Sequence, residues 1–84
     1  MRVTVISPAA RVFDGDADSL VAPAFDGQIG ILPRHAPLLT LLGEGRLTIR
    51  VPSGDRHISV RGGVLQVTGD VVRVVAEHAA EETA

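Results

Sequence analysis

From residue 46 to residue 60 the chain alternates almost without exception. Arg46-Leu47-Thr48-Ile49-Arg50-Val51 places Leu47, Ile49 and Val51 on one side and Arg46, Thr48 and Arg50 on the other. Pro52-Ser53-Gly54-Asp55 supplies a turn, and Arg56-His57-Ile58-Ser59-Val60 returns with Ile58 and Val60 on the apolar side. A period of two cannot serve a helix, whose faces repeat every 3.6 residues. A hairpin with one apolar face must bury that face against a second layer. The chain is therefore committed to stacked sheets.

The flanking segments follow the same rule. Arg2-Val3-Thr4-Val5-Ile6 reads as a first strand ended by Ser7-Pro8, and Arg11 to Ala17 as a second, with a turn at Asp14-Gly15. Asp18 to Ala24 is a third, in which Pro23 predicts an edge position or a strand end. Arg61-Gly62-Gly63 breaks the pattern before Val64-Leu65-Gln66-Val67-Thr68 resumes it. Gly69-Asp70 turns the chain again, and Val71 to Ala76 closes the sheet. From Glu77 the sequence is polar and alanine-rich, and too short for a stable helix. The expectation is one domain over residues 1–78 and a flexible tail over 79–84.

Valine is the commonest apolar residue, Phe13 and Phe25 are the only aromatics, and nine glycines and five prolines punctuate the chain. About eight to ten short strands with short connections predict an all-β fold, a small flattened sandwich or barrel. On the last strand apolar residues fall on both faces, Val71 and Val75 opposite Val72 and Val74. One pair belongs to the core. The other lies beneath another segment or forms a patch for a partner.

Several function classes are disfavoured by composition. Eight arginines, no lysines and ten acidic residues give a net charge of −2, which with two aromatics makes a poor nucleic-acid binder. Without cysteine there is no disulfide, thiolate metal site or cysteine nucleophile. There is no leader-like start and no apolar run near eighteen residues, so the expectation is a soluble protein of the cytoplasm. Asp14, Asp16 and Asp18 begin like a calcium loop but lack its glycine and distal glutamate at the required offsets. His35, His57 and His78 have no metal-ligand spacing, and no serine sits in a nucleophile elbow. No catalytic, cofactor or metal site is expected.

The segment from Asp26 to Leu42 is different in kind. Gly27 and Gly30 permit positive φ or close backbone approach, while Pro33 and Pro37 stiffen the chain around Arg34, His35 and Ala36. The six residues from Pro37 to Leu42 fit a strand or one helical turn equally. His35 reads either as a polar contact or as a brace whose imidazole binds a neighbouring carbonyl. Taken together these features describe a non-catalytic interaction domain.

The same residues carry a family resemblance. Gly30-Ile31-Leu32-Pro33-Arg34-His35-Ala36-Pro37-Leu38-Leu39 resembles the Gly-x-x-Pro-x-His-x-Pro-Leu loop of the epsilon subunits of F-type ATP synthases, and Asp26-Gly27-Gln28 resembles the lead-in to it. Gly45-Arg46-Leu47-Thr48-Ile49, Val60-Arg61-Gly62-Gly63-Val64-Leu65-Gln66-Val67 and Val71 to Glu77 are similar to later blocks, in family order and spacing. Val5-Ile6-Ser7-Pro8 and Val12-Phe13-Asp14-Gly15 have the shape of the family's opening.

The resemblance implies a ten-stranded sandwich and a non-catalytic central-stalk rotor subunit. Its partners are the gamma subunit and the c-ring, and its place is peripheral, on the cytoplasmic side of the inner membrane. It implies that Gln28, Gly30, Ile31, Pro33, Arg34, His35, Ala36 and Pro37 lie at the c-ring and gamma junction, with Val71 and Val75 as a gamma-facing patch. Gln28 is neutral where the family usually has glutamate, which leaves Arg34 to shift the charge pairing. Longer members continue into a two-helix domain tied to ATP binding. This chain ends at Ala84, either as a natural short form without that domain or as a piece cut from a longer subunit, and in both cases no nucleotide binding is expected of it. The alternative is a stand-alone β-sandwich adaptor or ligand-binding module.

Overall fold

Alternation makes strands, and two glycines decide how they stack. The computed structural model describes residues 1–82, as eight strands and no helix. They are β1 (Arg2–Ile6), β2 (Arg11–Asp16), β3 (Ser19–Ala24), β4 (Gly27–Ile31), β5 (Leu38–Leu41), β6 (Glu44–Val51), β7 (Gly54–Thr68) and β8 (Val71–Glu82). The order is β2-β1-β8-β7-β6-β3-β4, with β5 on the far half of β7. All pairs are antiparallel except β1 with β8.

The count of eight rather than ten has a physical cause. The stretch Arg61-Gly62-Gly63 bends a strand and does not end it. Before the bend, β7 pairs with β6 and with His78–Glu82; after it, with β5 and with Val71–Ala76 up to Gly63. β7 and β8 thus each serve two layers, and eight strands give ten straight segments. One layer is β2, β1, the first half of β8, the second half of β7, and β5. The other is the remaining halves of β8 and β7 with β6, β3 and β4. A Cβ on Gly63 would stand 2.0 Å from the Val75 carbonyl oxygen, so only glycine lets the two bent strands cross this closely.

The core lies between the layers. Val3, Val5, Leu65, Val72 and Val74 from one side meet Leu20, Leu47, Ile49 and Ile58 from the other, all fully or almost fully buried. Leu47, Ile49, Ile58 and Val60 face inward as their alternation requires. Phe13 closes one end beneath the Arg56 guanidinium, 5.3 Å from its ring centre.

Two local expectations are corrected and an open one is resolved. Asp14-Gly15 is not a turn. It lies within β2 opposite Thr4 and Val3, and the turn is Ser7 to Ala10, closed by Ser7 N–H donating to the Ala10 carbonyl at 2.8 Å. Residues 77–82 are not a frayed tail but the second half of β8. Arg56 binds Glu81, and Glu82 accepts from Ser59 Oγ at 2.7 Å and pairs with Arg46 at 2.9 Å. The rest of that expected tail, 83–84, lies outside the described residues. Within Pro37 to Leu42, Leu38–Leu41 forms a strand, β5, and Leu42 bridges to Ala24. Pro23 lies in β3 beyond the three residues that pair with β6, so its missing N–H breaks no ladder there.

Candidate interaction surfaces

The first surface is the connection from β4 to β5. Leu32-Pro33-Arg34-His35 is a four-residue turn closed by His35 N–H donating to the Leu32 carbonyl at 3.1 Å. Proline in second place sets φ, and Arg34 in third place takes φ 63°. Arg34 N–H donates to Asp70 Oδ1 at 3.2 Å, which ties the loop to the turn between β7 and β8. His35 Nδ1–H donates to the Ala36 carbonyl at 2.7 Å. The imidazole is therefore a brace, with its Nε2 left for any outside contact.

Pro33, Arg34, Ala36 and Pro37 are exposed, as are Gln28 and Gly30 on β4. His35 is half-buried. Ile31 is not a surface contact. It is 1% exposed and lies opposite Leu20, so it anchors the loop from the core. Gly30 has an ordinary φ and open space around its Cα, so nothing inside the fold demands glycine there.

The second surface is the outer face of the layer holding β1. Val72 and Val74 are buried, while Val71 and Val75 are each 43% exposed. The pairing register extends Val75 into a row, whereas Val71 lies opposite Thr68 and beside Arg2, outside it. Leu41 lies opposite Val64, Val64 opposite Val75, and Val75 beside Ile6, so four strands bring four aliphatic side chains together. Pro8 and Gly63 complete a shallow, largely apolar groove around Ile6, Val64 and Val75. Leu41, Val64 and Ile6 were not legible as surface residues: Leu38 to Leu42 is apolar at four of five positions, which hides the phase of β5. On the same face Asp14 accepts from Arg2 Nε at 2.8 Å and Arg11 Nη1 at 3.2 Å, and the Arg2 guanidinium above all holds its carboxyl below the usual aspartate range.

The other layer's outer face is mainly polar, with Val21 exposed beside Thr48. Thr48 and His57 share a hydrogen bond at 3.2 Å, and Ser59, then Arg46, hold the Glu82 carboxyl below its usual range. Among the described residues no three His, Asp or Glu side chains group as metal ligands.

Residues 1–82 match the family described as ATP synthase, Delta/Epsilon chain, beta-sandwich domain. The chain belongs to this family. Named epsilon chains are its relatives: that of Frankia casuarinae is 48% identical over 81 residues, 94% of each chain. The epsilon chain of Leptospira borgpetersenii is 44% identical over 80 residues, 95% of this chain and 63% of that one. That of Laribacter hongkongensis is 42% identical over 81 residues, 94% of this chain and 58% of the relative. The chain thus spans nearly all of one relative and less than two thirds of the other two.

The fold is shared with a chain of the Euglena gracilis mitochondrial ATP synthase, at TM-score 0.86 and 18% identity over 94% of this chain and 51% of that one. A chain of the Tetrahymena thermophila mitochondrial ATP synthase central stalk and c-ring gives 0.77 and 22%, over 94% and 64%. This epsilon-family sandwich therefore keeps its fold where little sequence is shared.

Proposed function

We propose that this chain is the sandwich of a non-catalytic central-stalk subunit of an F-type ATP synthase, coupling rotation of a proton-driven c-ring to the gamma subunit during ATP synthesis. The observation that carries this reading is the epsilon-chain relationship across residues 1–82. The structural neighbours support it, since one comes from an OSCP/F1/c-ring assembly and the other from a central stalk with c-ring. In this reading Gln28, Gly30, Pro33, Arg34, His35, Ala36 and Pro37 form the foot at the c-ring and gamma junction, and Val71 and Val75 with their apolar row face gamma. The bare backbone at Gly30 suits close approach of another chain. The subunit works peripherally, on the cytoplasmic side of the inner membrane.

A torque element must not yield under load. Two prolines, the Leu32–His35 turn, the Asp70 tie and the His35 brace meet that demand in one short loop. Coexpression with the cognate gamma subunit should give a complex that survives affinity purification. Failure to co-purify would sink the reading. Calorimetry should show no ATP binding by this sandwich, and a clear micromolar isotherm would contradict that part. No observation favours the stand-alone module.

A further inference from the structure

Among the described residues, Arg34 is the one non-glycine with positive φ. Its place, third in a turn whose second residue is proline, is the one that takes glycine or asparagine without strain. A longer side chain there crowds its own backbone, and such conformations persist where the side chain is used. The fold makes no use of this one. Arg34 is exposed, and its guanidinium takes part in no hydrogen bond or ion pair among the described residues.

The conformation is held through the backbone instead. Arg34 N–H donates to Asp70 Oδ1, and the Asp70 carbonyl accepts from Arg2 N–H at 2.9 Å, so Asp70 joins the loop, β1 and the β7–β8 turn. The loop that carries Arg34 is otherwise apolar at its exposed positions: Leu32 is 64% exposed, and Pro33, Ala36 and Pro37 are exposed. The Asp70 carboxylate is engaged with the Arg34 backbone N–H and forms no ion pair with its guanidinium among the described residues. A partner that covers such a platform takes the guanidinium out of water. Left unpaired, it would oppose docking; a carboxylate matches its fork of donors. Gln28 on the neighbouring strand is neutral and offers no competing charge.

We propose that Arg34 is the specificity contact of this loop, held in a left-handed turn position to meet a carboxylate on the partner protein, and that Asp70 is its positioning residue. The inference rests on the reading of the loop as the foot of a rotor subunit. Its test uses the cognate ATP synthase stripped of its epsilon chain as the probe, with Arg34→Gly, Arg34→Gln, Asp70→Ala and Asp70→Asn. Arg34→Gly should melt at or a few degrees above the wild type, because the backbone strain is relieved. It should also bind the complex about tenfold more weakly, with a shallower salt dependence. Arg34→Gln should lose affinity without the gain in melting temperature. Asp70→Ala should weaken binding about fivefold and speed amide exchange at Arg34, and Asp70→Asn, which keeps the acceptor oxygen, should restore both.

Wild-type affinity in Arg34→Gly overturns the proposal. So does a loss of affinity that comes with a lower melting temperature, since the arginine then serves folding. Capture of the wild-type chain by phosphatidylglycerol vesicles, lost in Arg34→Gly, would assign the guanidinium to a lipid phosphate and overturn the carboxylate assignment. If the wild-type chain itself fails to bind the stripped complex, the rotor reading fails and takes this inference with it. Equal binding of wild type and variant sinks only the inference.

Discussion

The two outer faces of the sandwich are made largely by the same two strands and are opposite in character. On the layer holding β1, the first half of β8 and the second half of β7 present Val75 and Val64 between Ile6 and Leu41. On the other layer, the remaining halves present Ser59, His57, Ala80 and Glu82, tied to Thr48 and Arg46. One face is finished, with its charges paired within the chain. The other leaves aliphatic groups in water. Character therefore follows from where β7 and β8 bend, more than from composition.

The most disruptive way to break the contrast is to block the bend. Gly63→Ala places a Cβ on the Val75 backbone, which neither strand can clear alone, so a loss above about 4 kcal/mol and a melting temperature lower by roughly 15 °C or more are expected. Gly62→Ala meets only the end of the Glu77 side chain and the strain of φ 67°, so about 1–2 kcal/mol is expected. Thermal melts by circular dichroism check both. Equal losses would show that the bend does not depend on this contact.

Adjacent residues on β8 sharpen the comparison. Val75→Asp should change the melting temperature by less than about 4 °C while weakening the proposed association with gamma about tenfold or more. Val71→Asp should act in the same direction. Val74→Asp, fully buried, should abolish cooperative unfolding. If Val75→Asp lost stability and association in equal measure, the outer valines would be core.

The smallest effect belongs to the pair at the rim of the core. The Arg56 guanidinium holds the Glu81 carboxyl below its ordinary value of 4.5. A carboxylate with a depressed folded value adds stability above the unfolded value and loses it as pH falls through the folded one. Glu81→Gln should therefore cost about 0.3–1 kcal/mol at neutral pH, and the difference should begin to fade as pH falls below 4.5 and vanish once pH is under the depressed folded value. A difference that persisted in acid would point to packing against Phe13 as the cause.

These faces were unequally legible in the sequence. The 46–60 hairpin was readable because one face is apolar and the other polar, whereas the two-sided apolar strand at 71–76 left its outer pair either covered by another segment or exposed to a partner. Gly62-Gly63 looked like a strand end because glycine marks both breaks and bends. The residues that fix Glu81 and Glu82 lie more than twenty positions away, so a held strand looked like a free tail. Ile31 sits in a loop motif, and only the pairing with β3 shows that it points inward. The left-handed backbone at Arg34 had no sequence signal, since an arginine stands where glycine would have announced it.

The parallel pairing of β1 with β8 also sets a schedule. β1 joins residues 2–6 to residues 71–75, a separation of about 70 residues that translation covers in roughly 4–14 s. Through that interval the β1 and β2 segments lack the strand that covers them in the fold, with Val3 and Val5 uncovered. Their Arg2–Asp14–Arg11 cluster is complete within the first sixteen residues and gives the waiting segments one charged side. Closure of that layer is then a late, long-range event, and refolding from denaturant should run in milliseconds to seconds, as it does for other sandwiches.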